Sequence, residues 1–232
     1  MIKMVISSFY NALIDYEDAI PTSTMLEIER IRNKGILFSI CTNRTKEELL
    51  EYNRDFPFID YIVSLNGSLV YDVINSKVIS KKKLTSTNIN KINNIFNGYK
   101  ITYYTEDKIF KKYKEDLEVL KIEIEIKDEK EIEKLNKVNV GYSIFKYNNK
   151  MYLEITNSRV NMFTGIDQIS LRNNIHLSEV LVIGANNSDK AMITNIPNNY
   201  VVESNSSLLK LSNKKTSDNN SKGVEKVLKT IK

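Results

Sequence analysis

At 232 residues the chain has room for one large domain, or for a main domain carrying a smaller insert. Hydrophobic residues make up 41% and charged residues 27%, with 7 Gly and 3 Pro, which excludes a disordered or low-complexity chain. One cysteine, Cys41, excludes an internal disulfide and makes the reducing cytoplasm the expected setting. The net charge of +5 raises nucleic acid as a partner, but the lysines alternate with glutamates, as in Lys121 to Lys137, and read as a solvated face. Lys81 to Lys83, the tightest basic cluster, has no aromatic residues interleaved, so nucleic acid is disfavoured. No stretch approaches the ~18 apolar residues of a membrane span, and no small-residue cleavage site follows the first apolar run, so neither membrane nor leader is expected.

The first element in chain order is a buried strand over Ile2–Ile6. A helix over Thr22–Lys34 follows, with Thr22 or Ser23 as its cap and Gly35 as its stop. Ile36–Cys41 reads as a second buried strand. Thr45–Asn53 is a second helix, with Thr45 and Glu48 spaced as a capping box, and Asp60–Ser64 is a third strand. Strands that are apolar throughout and alternate with helices argue for a doubly wound, mostly parallel α/β sheet. The middle of the chain differs. Thr87–Phe96 and Glu129–Lys137 read as helices, Lys100–Tyr104 and Val119–Ile126 as strands, and Tyr142–Tyr147 with Met151–Ile155 as a hairpin. The α/β pattern then returns with a strand at Val180–Ile183, a short helix at Asp189–Ile193, a strand at Tyr200–Val202 and a helix at Lys222–Ile231. The expected organisation is therefore an α/β core from 1–81 and 156–232, interrupted by an α+β cap from 82–155.

Ligands of doubly wound sheets sit at the carboxyl ends of the strands. That rule gathers Ser7–Tyr10, Thr42–Arg44, Asn66–Gly67 and Gly184–Asp189 around one crevice, with the insert above it. The sole histidine, His176, precedes Val180 and belongs at the opposite end of its strand, where it reads as a surface residue.

These loop segments, in this order and with an α+β insert between the third and fourth, resemble the haloacid dehalogenase superfamily, in particular its Cof-type sugar-phosphate phosphatases with a C2-type cap. Ile40-Cys41-Thr42-Asn43-Arg44 is similar to the family's second motif and Ser64-Leu65-Asn66-Gly67 to its turn before the cap. Leu153-Glu154-Ile155 is similar to the return from cap to core, Val182-Ile183-Gly184 with Asp189 and Met192 to the fourth motif, and Asn219, Asn220, Gly223 and Val224 to the tail. The family carries Asp-x-Asp-Gly-Thr after its first strand, the first Asp attacking phosphorus and the second moving the proton. The resemblance puts Ser8, Tyr10, Asn11 and Ala12 at those positions. It puts Met162 where the family has a lysine, and Ala185 and Ser188 inside the fourth motif, leaving Asp189 as the one family carboxylate.

Phosphoryl transfer needs a poised anionic nucleophile and a metal ion to neutralise the phosphoryl oxygens. Ser8 without a base is not such an anion, and Asp189 with a backbone carbonyl makes a poor Mg²⁺ site. The reading that follows is a pseudophosphatase, without a cofactor, kept for binding a small phosphorylated ligand, for regulation or for a protein partner. Thr42, Arg44, Asn66 and Asp189 are its ligand-binding candidates. The bland alternatives are that Thr42 and Asp189 cap helices and that Arg44 pairs with a surface acid. A hydrolase with a rearranged site is the alternative, using Ser8 or the acids Asp15, Glu17 and Asp18, with Mg²⁺ required only then. A third option is a partner- or nucleic-acid-binding module that uses the cap sheet and Tyr103, Tyr104 and Tyr113.

Overall fold

The computed structural model describes residues 1–14, 19–54, 57–203, 206–212, 214–218 and 222–232. Asp15, Glu17, Asp18, Asn219 and Asn220 lie outside the described residues. Elements run β1 (Met4–Ser8), α1 (Thr22–Arg32), β2 (Leu37–Cys41), α2 (Lys46–Tyr52), β3 (Tyr61–Ser64), β4 (Leu69–Asp72), β5 (Lys77–Lys81), α3 (Ser86–Ile95), β6 (Ile101–Tyr104) and β7 (Ile109–Phe110). They continue with β8 (Lys121–Ile126), β9 (Val140–Tyr147), β10 (Lys150–Asn157), α4 (Met162–Arg172), β11 (Val180–Gly184), α5 (Lys190–Asn195), β12 (Asn198–Val202), α6 (Ser206–Leu209), β13 (Lys215–Thr216) and α7 (Gly223–Lys229).

Two sheets result. The first has the order β13-β12-β11-β1-β2-β3-β4-β5, and every pairing from β13 to β3 is parallel. This is the doubly wound α/β architecture read from the sequence. The strands are apolar along their whole length because both faces are covered. Along β1, Val5 packs with Phe38, Ile62, Ile28 and Leu228 on one face, while Met4 and Ile6 pack with Val63, Ile166 and Met192 on the other. The second sheet, β7-β6-β8-β10-β9, is wholly antiparallel and lies over α3 through Ile89, Ile92 and Phe96.

The β4–β5 hairpin, antiparallel to β3, is a finding that the sequence pattern did not disclose. Its outer strand is half-exposed along its length and shows neither a continuous apolar run nor clean alternation. Two expected caps are also corrected. Pro21 occupies the capping position of α1, and the Ser23 hydroxyl instead donates to Glu225 (2.5 Å) on α7. Thr45 precedes α2, but its side chain makes no capping hydrogen bond, and Glu48 turns away to accept from the Tyr10 hydroxyl.

The chain leaves the first sheet for the second through a turn in which Leu65, Asn66 and Gly67 all have positive φ. At Gly67 (φ +94°) a Cβ would stand 2.1 Å from the Asn161 carbonyl oxygen, on the segment returning from the second sheet. Only glycine permits the two crossing strands of backbone to come this close. Gly67→Ala is expected to destabilise the fold by roughly 2–4 kcal/mol, seen as a lower urea midpoint with little change in slope.

Candidate functional site

In the first sheet the strand order reverses at β1, between β2 on one side and β11 on the other, which opens a crevice at the carboxyl ends of those strands. Ser8 ends β1 there, and Asp189 follows β11. The Ser8 Oγ donates to Asp189 Oδ2, which also accepts from the backbone N–H groups of Ala185 (2.9 Å) and Asn186 (2.7 Å). Asp189 is 1% exposed. Burial holds its carboxyl above the ordinary carboxylate range, and the hydrogen bonds from Ser8, Asn186 and Ala185 only partly oppose that shift. Cys41 lies beside it, its thiol pushed up by burial first and by the Asp189 charge second.

After β1 the chain makes a tight irregular turn over Phe9–Leu13, with Asn11 in the left-handed region (φ 65°). Asparagine tolerates this conformation better than any β-branched residue could. The turn is fastened to the loop after β11: Asn11 Nδ2 donates to Asn186 Oδ1 (2.8 Å), and Asn186 Nδ2 donates to the Tyr10 carbonyl (3.0 Å). The Tyr10 ring leans over the crevice and its hydroxyl is tied to Glu48. Met162, 1% exposed at the start of α4, forms another wall, and Thr42 a third. The space left among them is about 10 Å³. That is the room of a single water, not of a phosphoryl group.

The structure therefore brings together five of the residues singled out in the sequence, Ser8, Tyr10, Thr42, Met162 and Asp189, and Ala185 adjoins them through its backbone. Thr42 caps no helix through its side chain, and Asp189, at the N-cap position of α5, makes no side-chain cap there but accepts from the Asn186 N–H in a capping box on the single 3-10 turn Asn187–Asp189. Thr42 Oγ1 accepts from the Arg44 N–H (3.1 Å), a local turn, and Asp189 is committed to the loop before it. Arg44 and Asn66 point elsewhere. The Arg44 guanidinium lies 5.6 Å from the Tyr10 ring centroid, 5.5 Å from Phe145 and 5.9 Å from Tyr147, so it bridges the two sheets through aromatic faces; burial opposes its charge, and the nearby Glu48 and Glu123 carboxylates outweigh that and hold it above its ordinary value. Its Nε is buried without a hydrogen-bond partner. Tyr103 and Tyr104 are 4% and 5% exposed, and the Tyr103 ring packs on Tyr113 at 5.8 Å, so this group is interior packing and not an open platform.

Asn66 joins a charged cluster that sequence reasoning missed. Glu154 on β10 is 1% exposed; its Oε1 accepts from Lys121 Nζ (2.7 Å) and Asn43 Nδ2 (3.0 Å), and its Oε2 from Asn66 Nδ2 (3.0 Å) and the Ser143 Oγ (3.1 Å). Lys121, fully buried, also donates to the Asn43 carbonyl (2.8 Å) and sits 4.3 Å from the Tyr104 ring centroid. Burial alone would raise the Glu154 carboxyl, but the Lys121 charge and the hydrogen bonds from Lys121, Asn66 and Asn43 outweigh it and leave the group below its ordinary range. Strand alternation places Glu154 on the face opposite Leu153 and Ile155, which reads as solvent. The loops after β2 and β3 cover that face, a fact of tertiary packing with no local signal.

A family model described as haloacid dehalogenase-like hydrolase matches residues 11–137 and 100–228. Three solved structures are similar. A phosphatase of the haloalkanoate enzyme superfamily, BT1666 from Bacteroides thetaiotaomicron, is 16% identical, with 99% of this chain and 95% of that chain covered at a TM-score of 0.86. The subclass IIB sugar phosphatase BT4131 is 19% identical, with 98% of each chain covered at a TM-score of 0.87. A haloacid dehalogenase-like hydrolase from B. subtilis is 11% identical, with 100% of each chain covered at a TM-score of 0.89. At these identities the likeness shows the fold alone. No curated protein matches the chain.

Two measurements test the electrostatics. Lys121→Met leaves a buried carboxylate without its cation and is expected to cost roughly 3–5 kcal/mol in urea unfolding, with most of the loss recovered in Lys121→Met/Glu154→Leu. For Asp189 the folded state holds its proton more tightly than the unfolded chain does, so ionisation weakens the fold as pH rises above the ordinary carboxylate range. Asp189→Asn keeps an acceptor oxygen and removes the charge. It is expected to raise Tm at pH 7, with the gain vanishing as pH falls to that range.

Proposed function

The chain belongs to the haloacid dehalogenase-like hydrolase family, and from that premise we propose that it is a pseudophosphatase: it keeps the hydrolase fold for binding or regulation and does not transfer phosphoryl groups. The observation that carries the proposal is the closed cleft of about 10 Å³, in which the one acid, Asp189, has Oδ2 taken up by three internal donors and Met162 forms the wall where the resemblance puts a lysine.

The family resemblance implies Mg²⁺, and the donors at the cleft do not fit it. Magnesium is held through carboxylates, waters and ligand phosphates in near-ideal octahedral geometry. Here a serine hydroxyl, a tyrosine tied to Glu48 and an alanine occupy three of the positions, and among the described residues no group of three or more His, Cys, Asp or Glu side chains is placed to hold a metal. Without cation or anionic nucleophile, the charge developing on a transferring phosphoryl group has nothing to neutralise it.

One observation favours a second reading, an active hydrolase acting on a small phosphorylated metabolite. The hydroxyl of Ser8 is hydrogen-bonded to a carboxylate, which is how a base prepares a nucleophile. In that reading Asp189 takes the Ser8 proton as Oγ bonds to phosphorus and passes it to the leaving oxygen as the P–O ester bond breaks, releasing the alcohol, and water then hydrolyses the phosphoserine to free phosphate and Ser8.

An aryl phosphate assay separates the two. The pseudophosphatase reading expects no turnover above buffer, with or without Mg²⁺, and no difference on Ser8→Ala. Turnover that Ser8→Ala and Asp189→Asn both abolish, with phosphate trapped on Ser8, establishes the second reading instead. A further expectation concerns Met162→Lys combined with Ser8→Asp, Tyr10→Asp and Ala185→Asp. Magnesium binding, read by calorimetry, should appear in this variant, and its absence in a folded sample would contradict the placement of these four positions.

A further inference from the structure

The dipeptide Asn-Gly occurs twice in the chain, at Asn66-Gly67 and at Asn97-Gly98. Asparagine before glycine is prone to ring closure, because the glycine nitrogen, with no Cβ beside it, can approach the asparagine Cγ. The structure gives the two copies opposite surroundings.

Asn66 is 7% exposed, and its Nδ2 donates to Glu154 Oε2 (3.0 Å) and the Ser143 Oγ (3.2 Å). At Gly67 even a Cβ would stand 2.1 Å from the Asn161 carbonyl oxygen, so the segment has no room to bring Cγ onto the glycine nitrogen. The Asn66 Oδ1 is buried as well, which keeps water from the amide carbon.

Asn97 and Gly98 are exposed and form the middle of the turn Phe96–Tyr99, which joins α3 to β6. The Tyr99 N–H closes the turn by donating to the Phe96 carbonyl (3.0 Å), and Gly98 sits at its third position with φ 84°. Among the described residues neither the Asn97 side chain nor the Gly98 N–H has a hydrogen-bond partner, and a Cβ at Gly98 would meet nothing within 4 Å. The attacking nitrogen, the leaving amide and the space around them are all free.

We infer that Asn97 is a site of spontaneous deamidation and isomerisation, and that this reaction loosens α3 on the second sheet. The Gly98 nitrogen gives up its proton and bonds to Asn97 Cγ; the Cγ–Nδ2 bond breaks, and ammonia leaves with that proton. Water then opens the five-membered succinimide at Cγ, giving aspartate, or at the Asn97 main-chain carbonyl carbon, giving isoaspartate. One water is taken up and one ammonia released, with no oxidant and no enzyme. Either product carries a carboxylate just past the C-terminal end of α3, where the helix dipole disfavours negative charge. Isoaspartate also adds a methylene to the main chain between Phe96, fully buried with Ile89 and Ile92, and Tyr99, whose ring packs edge-on to Phe96 at 5.4 Å. The chemistry is independent of the proposed function, since it involves no residue of the cleft.

The full chain, folded in buffer or unfolded in guanidinium chloride, is aged at mildly alkaline pH until the unfolded sample has converted at both Asn-Gly sites. Digests are then read by mass spectrometry, with isoaspartate resolved from aspartate by chromatography. The folded chain is expected to convert at Asn97, mainly to isoaspartate, and to keep Asn66 as the amide. Asn97→Gln, an exposed substitution that requires a six-membered ring for the same closure, is expected to lose the conversion. Hydrogen exchange of the α3 amides should become faster on ageing, and should not change on ageing in Asn97→Gln. Retention of the Asn97 amide in the folded chain overturns the inference, as does conversion of Asn66 as fast as Asn97, because the fold then protects neither copy. Full conversion at Asn97 with α3 exchange unchanged overturns the effect on the helix.

Discussion

The buried carboxylate of Glu154 is the constraint on which the arrangement of the two sheets depends. A carboxylate removed from water must find compensation on nearly every lone pair, and this one draws it from four side chains on separate segments: Lys121 and Ser143 of the second sheet, and Asn43 and Asn66 of the loops after β2 and β3. No one segment satisfies it, so the second sheet and the two loops are held in one relation. The ammonium of Lys121 is compensated in turn by Glu154, the Asn43 carbonyl and the face of Tyr104. Arg44 adds a contact of a different kind between Tyr10 on one side and Phe145 and Tyr147 on the other, and Lys46, 2.7 Å from Asp107, adds a third. The crevice itself is closed from the first sheet's side, by Tyr10, Thr42 and Met162.

That closure and the chemistry of Asp189 are linked. Burial raises the cost of its charge, and the donors at Ser8, Ala185 and Asn186 return only part of it. A neighbouring cation would supply the rest. Met162 stands in that place, an apolar side chain packed with Ile166 and Val63 in the core. With Met162 there and no cation beside it, a second acid at the position of Ala185 would be an uncompensated charge in the same dry space, and alanine carries no such cost.

Glu154 and Asp189 also titrate with opposite effects. Glu154, held below its ordinary range, contributes stability that is present above that range and is lost as pH falls through its lowered value. Asp189, held above, weakens the fold as pH rises. The first group guards the junction between the sheets and the second reports on the crevice, so acid acts on the two places in opposite directions.

Much of this was legible in the residues. Continuous apolar strands alternating with helices specify a parallel sheet covered on both faces, and the topological rule for such sheets places Ser8, Thr42 and Asp189 at one crevice, because both depend on local periodicity and connection order alone. The absence of acids at Ser8, Tyr10 and Ala185 is likewise a property of the chain read as text. What the tertiary structure decided is everything that depends on which segment covers which face. Glu154 alternates outward along β10 and becomes interior only because loops distant in sequence lie over it. Arg44 and Asn66, neighbours of the crevice in sequence, turn from it toward the second sheet. The β4–β5 hairpin, half-exposed at a sheet edge, carries no pattern of its own. Periodicity records how a segment meets its own sheet; burial of the Glu154 charge is set by contacts 33 residues away at Lys121, 88 at Asn66 and 111 at Asn43, and no local window along the sequence contains them.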